Sequence, residues 1–188
     1  TIKKKICIIG GGDTSRVIID VIKMYYSDSY DIKGIYDDSK KIKNYYDIKL
    51  LGKIENIKNI FSDNELYICS VANISFRKKI ISNFNNVNWM TIIHPNTTIS
   101  PTAKIGKGIF INATSVINSQ AVINDFCIIN TNVIIEHDAL IKENCVLCPR
   151  VTICGNVTVN ENTFIGCATN IINKNKYGFI KIGKNNFI

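Results

Sequence analysis

From residue 93 onward, aliphatic side chains recur at every sixth position: Ile93, Ile99, Ile105, Ile111, Ile117, Ile123, Ile129, Ile135, Ile141, Leu147, Ile153, Val159, Ile165 and Ile171. Four residues after each, the side chain is small or modestly apolar: Thr97, Ala103, Ile109, Ser115, Ala121, Cys127, Val133, Ala139, Cys145, Val151, Val157, Thr163 and Thr169. A period of six is neither the 3.6 of an amphipathic helix nor the alternation of a half-buried strand. It is the mark of a hexapeptide repeat, in which each hexad is one short strand and a turn. Three hexads close a triangular coil, and coils stack at strand spacing, about 4.8 Å. The aliphatic that opens each hexad fills the prism interior. The small residue fits where the chain bends toward the next face. After Ile171 the phase breaks, so Asn173 to Phe179 reads as a loop inserted at a coil corner. Ile182-Gly183 restarts a hexad that stops at Ile188, which suggests a truncated or unusually short last coil.

The first part of the chain has a different pattern. Ile2 to Ile9 is a short buried strand, followed by Gly10, Gly11 and Gly12. Val17, Ile18, Val21 and Ile22 then recur at helical spacing, with Asp13 or Thr14 as the N-cap. Strand, glycine turn and helix open a Rossmann-like unit, whose helix N-terminus offers N–H groups to an anion. The dinucleotide fingerprint is incomplete, because its third glycine position holds Ser15. The loop is therefore either an anion cradle or a plain tight turn. A second strand, Ile32 to Tyr36, ends in Asp37-Asp38, either a grip for a ribose or base edge or a solvated turn. A polar excursion over Asn44 to Leu51 leads to Gly52 and a short helical stretch near Ile54 to Ile60. Leu66 to Val71 is a further strand, followed by Ala72-Asn73 and a basic helix with Arg77, Lys78 and Lys79. Asn88 to Ile92 is the last strand, and His94-Pro95 is a packed structural turn. Two domains are expected, 1–92 and 93–188.

Composition narrows the function classes. The net charge of +8 comes mostly from scattered lysine, without the basic-aromatic clustering of a nucleic-acid binder. It reads first as a solvated lysine-rich surface, and in a functional reading as one that attracts polyanionic small molecules such as nucleotide sugars or coenzyme A. Seven cysteines with no secretory signal and no membrane-spanning run point to free thiols in a reducing cytoplasm. Cys127 and Cys145 sit at inward hexad positions. Cys145 and Cys148 fall at different phases of the repeat, which argues against zinc. The chain's two histidines, His94 and His137, lie 43 residues apart and do not stack, which argues against a three-histidine metal centre.

Ile92-Ile93-His94-Pro95-Asn96 followed by Ile99-Ser100-Pro101-Thr102-Ala103 resembles the domain junction of bacterial PglD/NeuD-like sugar acyltransferases. So do Gly10-Gly11-Gly12 before a helix, Tyr36-Asp37-Asp38, and Asn73 with Arg77-Lys78-Lys79. Asn130 followed by Glu136-His137-Asp138 resembles the family's catalytic segment. The resemblance implies a small Rossmann-like N-terminal domain followed by a left-handed parallel β-helix, assembled as a homotrimer. It implies acetyl-CoA-dependent N-acetylation of a nucleotide-linked amino sugar, a UDP-4-amino-deoxy sugar, for surface glycan or glycoprotein synthesis. Metal, nucleic acid and membrane have no part in it. The family's positions place Gly12, Asp13, Thr14, Asp37, Asp38, Ala72 and Asn73 at the nucleotide sugar. They place Val146, Gly155 and Cys167 at coenzyme A.

The same resemblance gives His137 as general base, held by Asp138, with Asn130 orienting the sugar amine. Gly155 lies one coil after His137, where a glycine admits a thioester and its N–H can meet an oxyanion. Two departures stand out: Asp13-Thr14 replaces a glycine and histidine, which places a carboxylate beside a diphosphate, and the family's final coil and tail are missing. O-acetylation of the sialic-acid type and a non-catalytic β-helix scaffold are the alternatives.

Overall fold

The computed structural model describes residues 3–39, 47–60, 62, 64–84, 86–176 and 178–188. These fall into two compact units, Thr1–Ile92 and Ile93–Ile188. Ile2, the start of the Asn44–Leu51 excursion and Tyr177 in the corner loop lie outside the described residues.

The first unit is built on a parallel sheet. Its elements are β1 (Lys4–Ile9), α1 (Asp13–Tyr25), β2 (Tyr30–Tyr36), β3 (Leu50–Gly52), α2 (Ile57–Ile60), β4 (Glu65–Cys69), α3 (Ile74–Asn83) and β5 (Asn88–Trp89). The strand order is β3-β2-β1-β4-β5, so β1 is central and the order reverses between β1 and β4. Ile6, Cys7, Ile8 and Ile9 are fully buried, as a strand covered on both faces requires. β3 is a strand that the polar reading of its region did not foresee. Its pairing to β2 covers two residues only, too few to show a period.

In α1 the buried stripe is Ile18, Ile19, Val21 and Ile22, while Val17 faces out. Its N-cap is Gly12, without a side-chain bond, and Asp13 is the first helical residue. Arg77 is not part of a basic surface. It is fully buried, and its guanidinium donates to the carbonyls of Cys69 (2.6 Å) and Val71 (3.2 Å). It thereby fixes the turn that follows β4. A second polar cluster gathers around Glu65, which bonds Lys33, accepts from Tyr67 Oη (3.1 Å) and lies 3.5 Å from the Cys7 thiol. Burial pushes the Glu65 carboxyl up, but its hydrogen bonds from Lys33 and Cys7 and the Lys33 charge outweigh this and hold it below its usual value. Burial first, then the Glu65 charge, pushes the Cys7 thiol up to about 12.

The second unit is a left-handed β-helix with three faces of five stacked parallel strands. The first face holds Ile92–Ile93, Phe110–Ile111, Ile128–Ile129, Val146–Leu147 and Phe164–Ile165. The second holds Thr98–Ile99, Val116–Ile117, Ile134–Ile135, Thr152–Ile153 and Asn170–Ile171. The third holds Lys104–Ile105, Val122–Ile123, Leu140–Ile141, Thr158–Val159 and Lys181–Ile182. The hexad aliphatics from Ile111 to Ile165 and the corner residues between them form one continuous buried core. Three polar or thiol corner residues donate to the carbonyl that passes over them in the next coil. Ser115 Oγ donates to Asn130 O (2.9 Å), Cys127 Sγ to Lys142 O (3.1 Å) and Cys145 Sγ to Asn160 O (3.2 Å). Cys145 thus faces the core, away from any site with Cys148.

The turns share one backbone device. Every sixth residue from Gly108 to Ala168 has a positive φ, between 55° and 65°. Left-handed crossovers run against the usual hand of parallel β connections, and this residue in each turn accommodates them. Asn and Asp tolerate it best, and Asn132, Asp138, Asn144, Asn156 and Asn162 occupy it. At the end of the prism the corner loop is a two-stranded antiparallel hairpin, Lys174–Asn175 with Gly178–Phe179. It lengthens that coil by five residues, since Val159 pairs with Ile182 where Ile141 pairs with Val159. The chain then continues along the first face, where Ile188 N–H donates to Phe164 O (3.0 Å).

Candidate active site

His137 sits two residues past Ile135, at the corner between the second and third faces. Its ring is more than half exposed, and Nδ1 lies 2.8 Å from Asp138 Oδ2. Asp138 is the positive-φ residue of that turn (φ 58°), and its short side chain is brought back beside the preceding imidazole. An ionised carboxylate there accepts Nδ1–H, which leaves the Nε2 lone pair for the reacting proton.

One coil further, Gly155 lies directly against the other edge of the ring. A Cβ on Gly155 would stand 2.6 Å from His137 Nε2 and 2.7 Å from Cε1. Only a glycine leaves Nε2 this approach. Among the described residues nothing accepts the Gly155 N–H, while its neighbours Cys154 and Asn156 donate to Ile171 O and His137 O. One corner therefore presents a proton acceptor and an adjacent N–H donor, the pair an acyl transfer requires.

The other expected residues of this site are not at that corner of the chain. Asn130 lies at the corner between the first and second faces, and its Nδ2 donates to Leu147 O (2.9 Å). Cys167 is exposed at the same corner, beside Cys148. Burial, followed by Cys167, pushes the Cys148 thiol up to about 11. Val146 is buried on the first face. A single chain brings together His137, Asp138 and Gly155, and leaves Asn130, Val146 and Cys167 around the prism.

In the first unit the loops after β1 and β4 flank the reversal of strand order, the place where an open α/β sheet binds ligands. Gly10 has φ 99° and a Cβ there would stand 2.6 Å from Val71, so the two loops touch closely. Ser70 Oγ donates to Gly10 O (2.7 Å) and ties them together. Gly12 has open space where its Cβ would be. Ser15, at the position of the missing glycine, is buried, and its hydroxyl donates to Gly12 O (2.6 Å). Asp37 reaches across to this loop: Oδ2 accepts Gly11 N–H (2.6 Å) and Oδ1 accepts Ser39 N–H (2.6 Å). Asp38 Oδ1 accepts Ile54 N–H (3.0 Å). Asn73 caps α3 by accepting Phe76 N–H (2.9 Å), next to exposed Ala72. Gly12 at the end of the β1–α1 loop, Asp13 and Thr14 in the first turn of α1, and Ala72 and Asn73 on the β4–α3 loop thus flank the reversal, with Asp37 and Asp38 beside them.

Sequence reasoning missed two residues at these loops. Arg16 pairs with Asp13 and offsets its charge. The i,i+3 spacing was a usable signal for it. Arg77 supports the β4–α3 loop from beneath, and a Lys-Lys neighbour disguised it as a surface residue.

Residues 5–84 match the family model of the PglD N-terminal domain. An uncharacterised protein of Acanthamoeba polyphaga mimivirus is 30% identical over 104 residues, which cover 55% of this chain; the chain spans 20% of that protein's length. Among solved structures, the acetyltransferase domain of PglB from Neisseria gonorrhoeae, in complex with acetyl coenzyme A, superposes with a TM-score of 0.81. It is 24% identical, over 90% of this chain and 82% of that one. PerB from Caulobacter crescentus, in complex with CoA and GDP-perosamine, gives 0.76 at 19% identity, over 95% and 91%. WeeI from Acinetobacter baumannii gives 0.84 at 18% identity, over 97% and 87%.

Proposed function

We propose that this chain, whose first unit matches the PglD N-terminal domain and whose second has the fold of the PglB acetyltransferase domain, is an acetyl-CoA-dependent N-acetyltransferase of a nucleotide-linked amino sugar. The observation that carries the reading is the corner where His137 Nε2 meets Gly155 while Asp138 holds Nδ1. His137 takes the proton from the sugar amine as the nitrogen attacks the thioester carbonyl. The Gly155 N–H stabilises the developing oxyanion. Collapse of the tetrahedral intermediate expels the coenzyme A thiolate, and the new C–N bond remains as the amide.

The glycine loop and the β4–α3 loop that faces it take the nucleotide. PerB, solved with GDP-perosamine, makes GDP sugars as strong a candidate as UDP sugars. Asp37 works through the loop it clamps as well as by any direct contact with the base. The domains 1–92 and 93–188 divide the work between nucleotide binding and acyl transfer.

The active assembly is a homotrimer, with the acyl site shared between neighbouring prisms. Two observations support this. Asn130 and Cys167 lie away from His137 on one chain, so they reach it only if a second copy supplies them, while Val146 is sealed inside its own chain and reaches no acyl donor by its side chain. Val116, Ile134, Val122 and Leu140 also point outward from the faces that flank His137 and are only half-buried. Among the described residues no helix is long and apolar enough to cross a membrane. With free thiols throughout the described chain, a cytoplasmic setting is the one proposed.

The test is thiol release from acetyl-CoA against UDP-, dTDP- and GDP-linked amino sugars. Turnover with an amino sugar, and none with its hydroxyl counterpart, supports the reading. Turnover only with the hydroxyl sugar would favour O-acetylation, and none with either would leave a binding scaffold.

A further inference from the structure

The hairpin Lys174–Asn175/Gly178–Phe179 interrupts the repeat at one corner, and the register identifies which. Ile135, Ile153 and Ile171 stack on the second face, so the residues two further on share one corner column. Those residues are His137, Gly155 and Asn173, from which the hairpin springs. Ile180 N–H donates to Asn173 O (3.1 Å) and closes its base, after which the chain rejoins the third face at Lys181–Ile182. The hairpin therefore rises two coils, roughly 10 Å, along the axis from His137, on the side toward which Nε2 faces.

A second observation is independent of this stacking. From Asn162 to Ile188 the chain has four lysines and no Asp or Glu. Lys174 and Lys176 stand exposed on the hairpin and Lys181 at its foot. Ile172 and Phe179 are 60% and 57% exposed beside them. A basic, partly apolar projection above a glycine gap and a catalytic histidine matches an elongated ligand with a reactive thioester at one end and phosphates at the other.

We propose that this hairpin is the anion-binding wall of the acyl-donor site. Lys174 and Lys176 take phosphates at the nucleotide end of coenzyme A and so set a preference for coenzyme A thioesters over shorter pantetheine thioesters. The proposal rests on the acetyl-CoA reading above.

The test compares wild type with Lys174→Glu/Lys176→Glu, using acetyl-CoA, acetyl-dephospho-CoA and acetyl-pantetheine as donors, with coenzyme A binding measured by calorimetry. The expected result is an acetyl-CoA KM raised about tenfold or more by charge reversal. kcat and the acetyl-pantetheine KM stay within about twofold of wild type, and Lys174→Arg/Lys176→Arg retains wild-type values. An acetyl-dephospho-CoA KM that rises as steeply assigns the lysines to the diphosphate; one that rises less assigns them to the 3′-phosphate. An unchanged acetyl-CoA KM, or an equal loss with acetyl-pantetheine, overturns the proposal. If wild type binds coenzyme A and the charge-reversed variant binds it equally, only the hairpin's role fails. If wild type binds none, the acetyl-CoA reading fails with it.

Discussion

At the scale of single residues, the corner of His137, Asp138 and Gly155 makes separable predictions. His137→Ala removes the proton acceptor and is expected to lower kcat by about 10²–10⁴-fold while coenzyme A binding survives. Asp138→Ala loses only the partner of Nδ1 and should cost less. Gly155→Ala is the sharper probe, because its Cβ would collide with a half-exposed ring that is free to swing away. Its melting temperature should stay near wild type while kcat falls about tenfold or more, a split that a purely structural glycine would not give. Glu65 supplies the stability counterpart. Its folded pKa lies below the usual 4.5, so its stabilisation is complete above that pH and fades as pH falls through the lower folded value. Glu65→Gln is expected to cost about 1–2 kcal/mol at neutral pH, at the modest end because Lys33 is partly exposed. The gap between the two melting curves should close in acid. A constant gap from pH 7 to pH 3 would count against the ion pair.

At the scale of elements, the repeat was the most legible part of the chain. Its six-residue period reports burial directly, and it placed Ile135, Ile153 and Ile171 correctly on one face. From that register the stacking of Gly155 on His137 followed without coordinates. The first unit was harder to read. β3 is too short to carry a period, the expected strand over Asn88 to Ile92 is divided between β5 and the first strand of the prism, and the burial of Arg77 depends on carbonyls contributed by β4 and its following turn. The two carboxylates after β2 were legible as candidates, but their hold on backbone N–H groups was not. That hold predicts that Asp37→Ala loosens the glycine loop as well as weakening nucleotide binding. Hydrogen exchange at Gly11 should then accelerate even without ligand; exchange that stays slow would leave Asp37 with a direct role alone. In the prism, the corner hydroxyls and thiols show why small polar residues are tolerated in its core. Ser115, Cys127 and Cys145 each meet a carbonyl of the following coil, so their polarity is satisfied where they stand.

At the scale of the whole molecule, residues expected at one acyl site are spread around one prism, so activity and assembly should be inseparable. Light scattering at micromolar concentration should give three times the 21.1 kDa chain mass. An active monomer would refute the shared site. Charged substitutions at Ile134 and Leu140 should dissociate the assembly and abolish turnover together. The stacking of the coils has a further consequence. Each coil touches only the one before and the one after, so the distance from His137 to the hairpin is set by counting. It changes only in whole coils, by one strand spacing of about 4.8 Å each time. The prism is thus a graduated ruler with the reacting nitrogen at one mark and the lysines at another. Duplicating one coil between them would lengthen the interval while leaving both ends chemically intact, and the thioester best suited to the longer gauge would change with it.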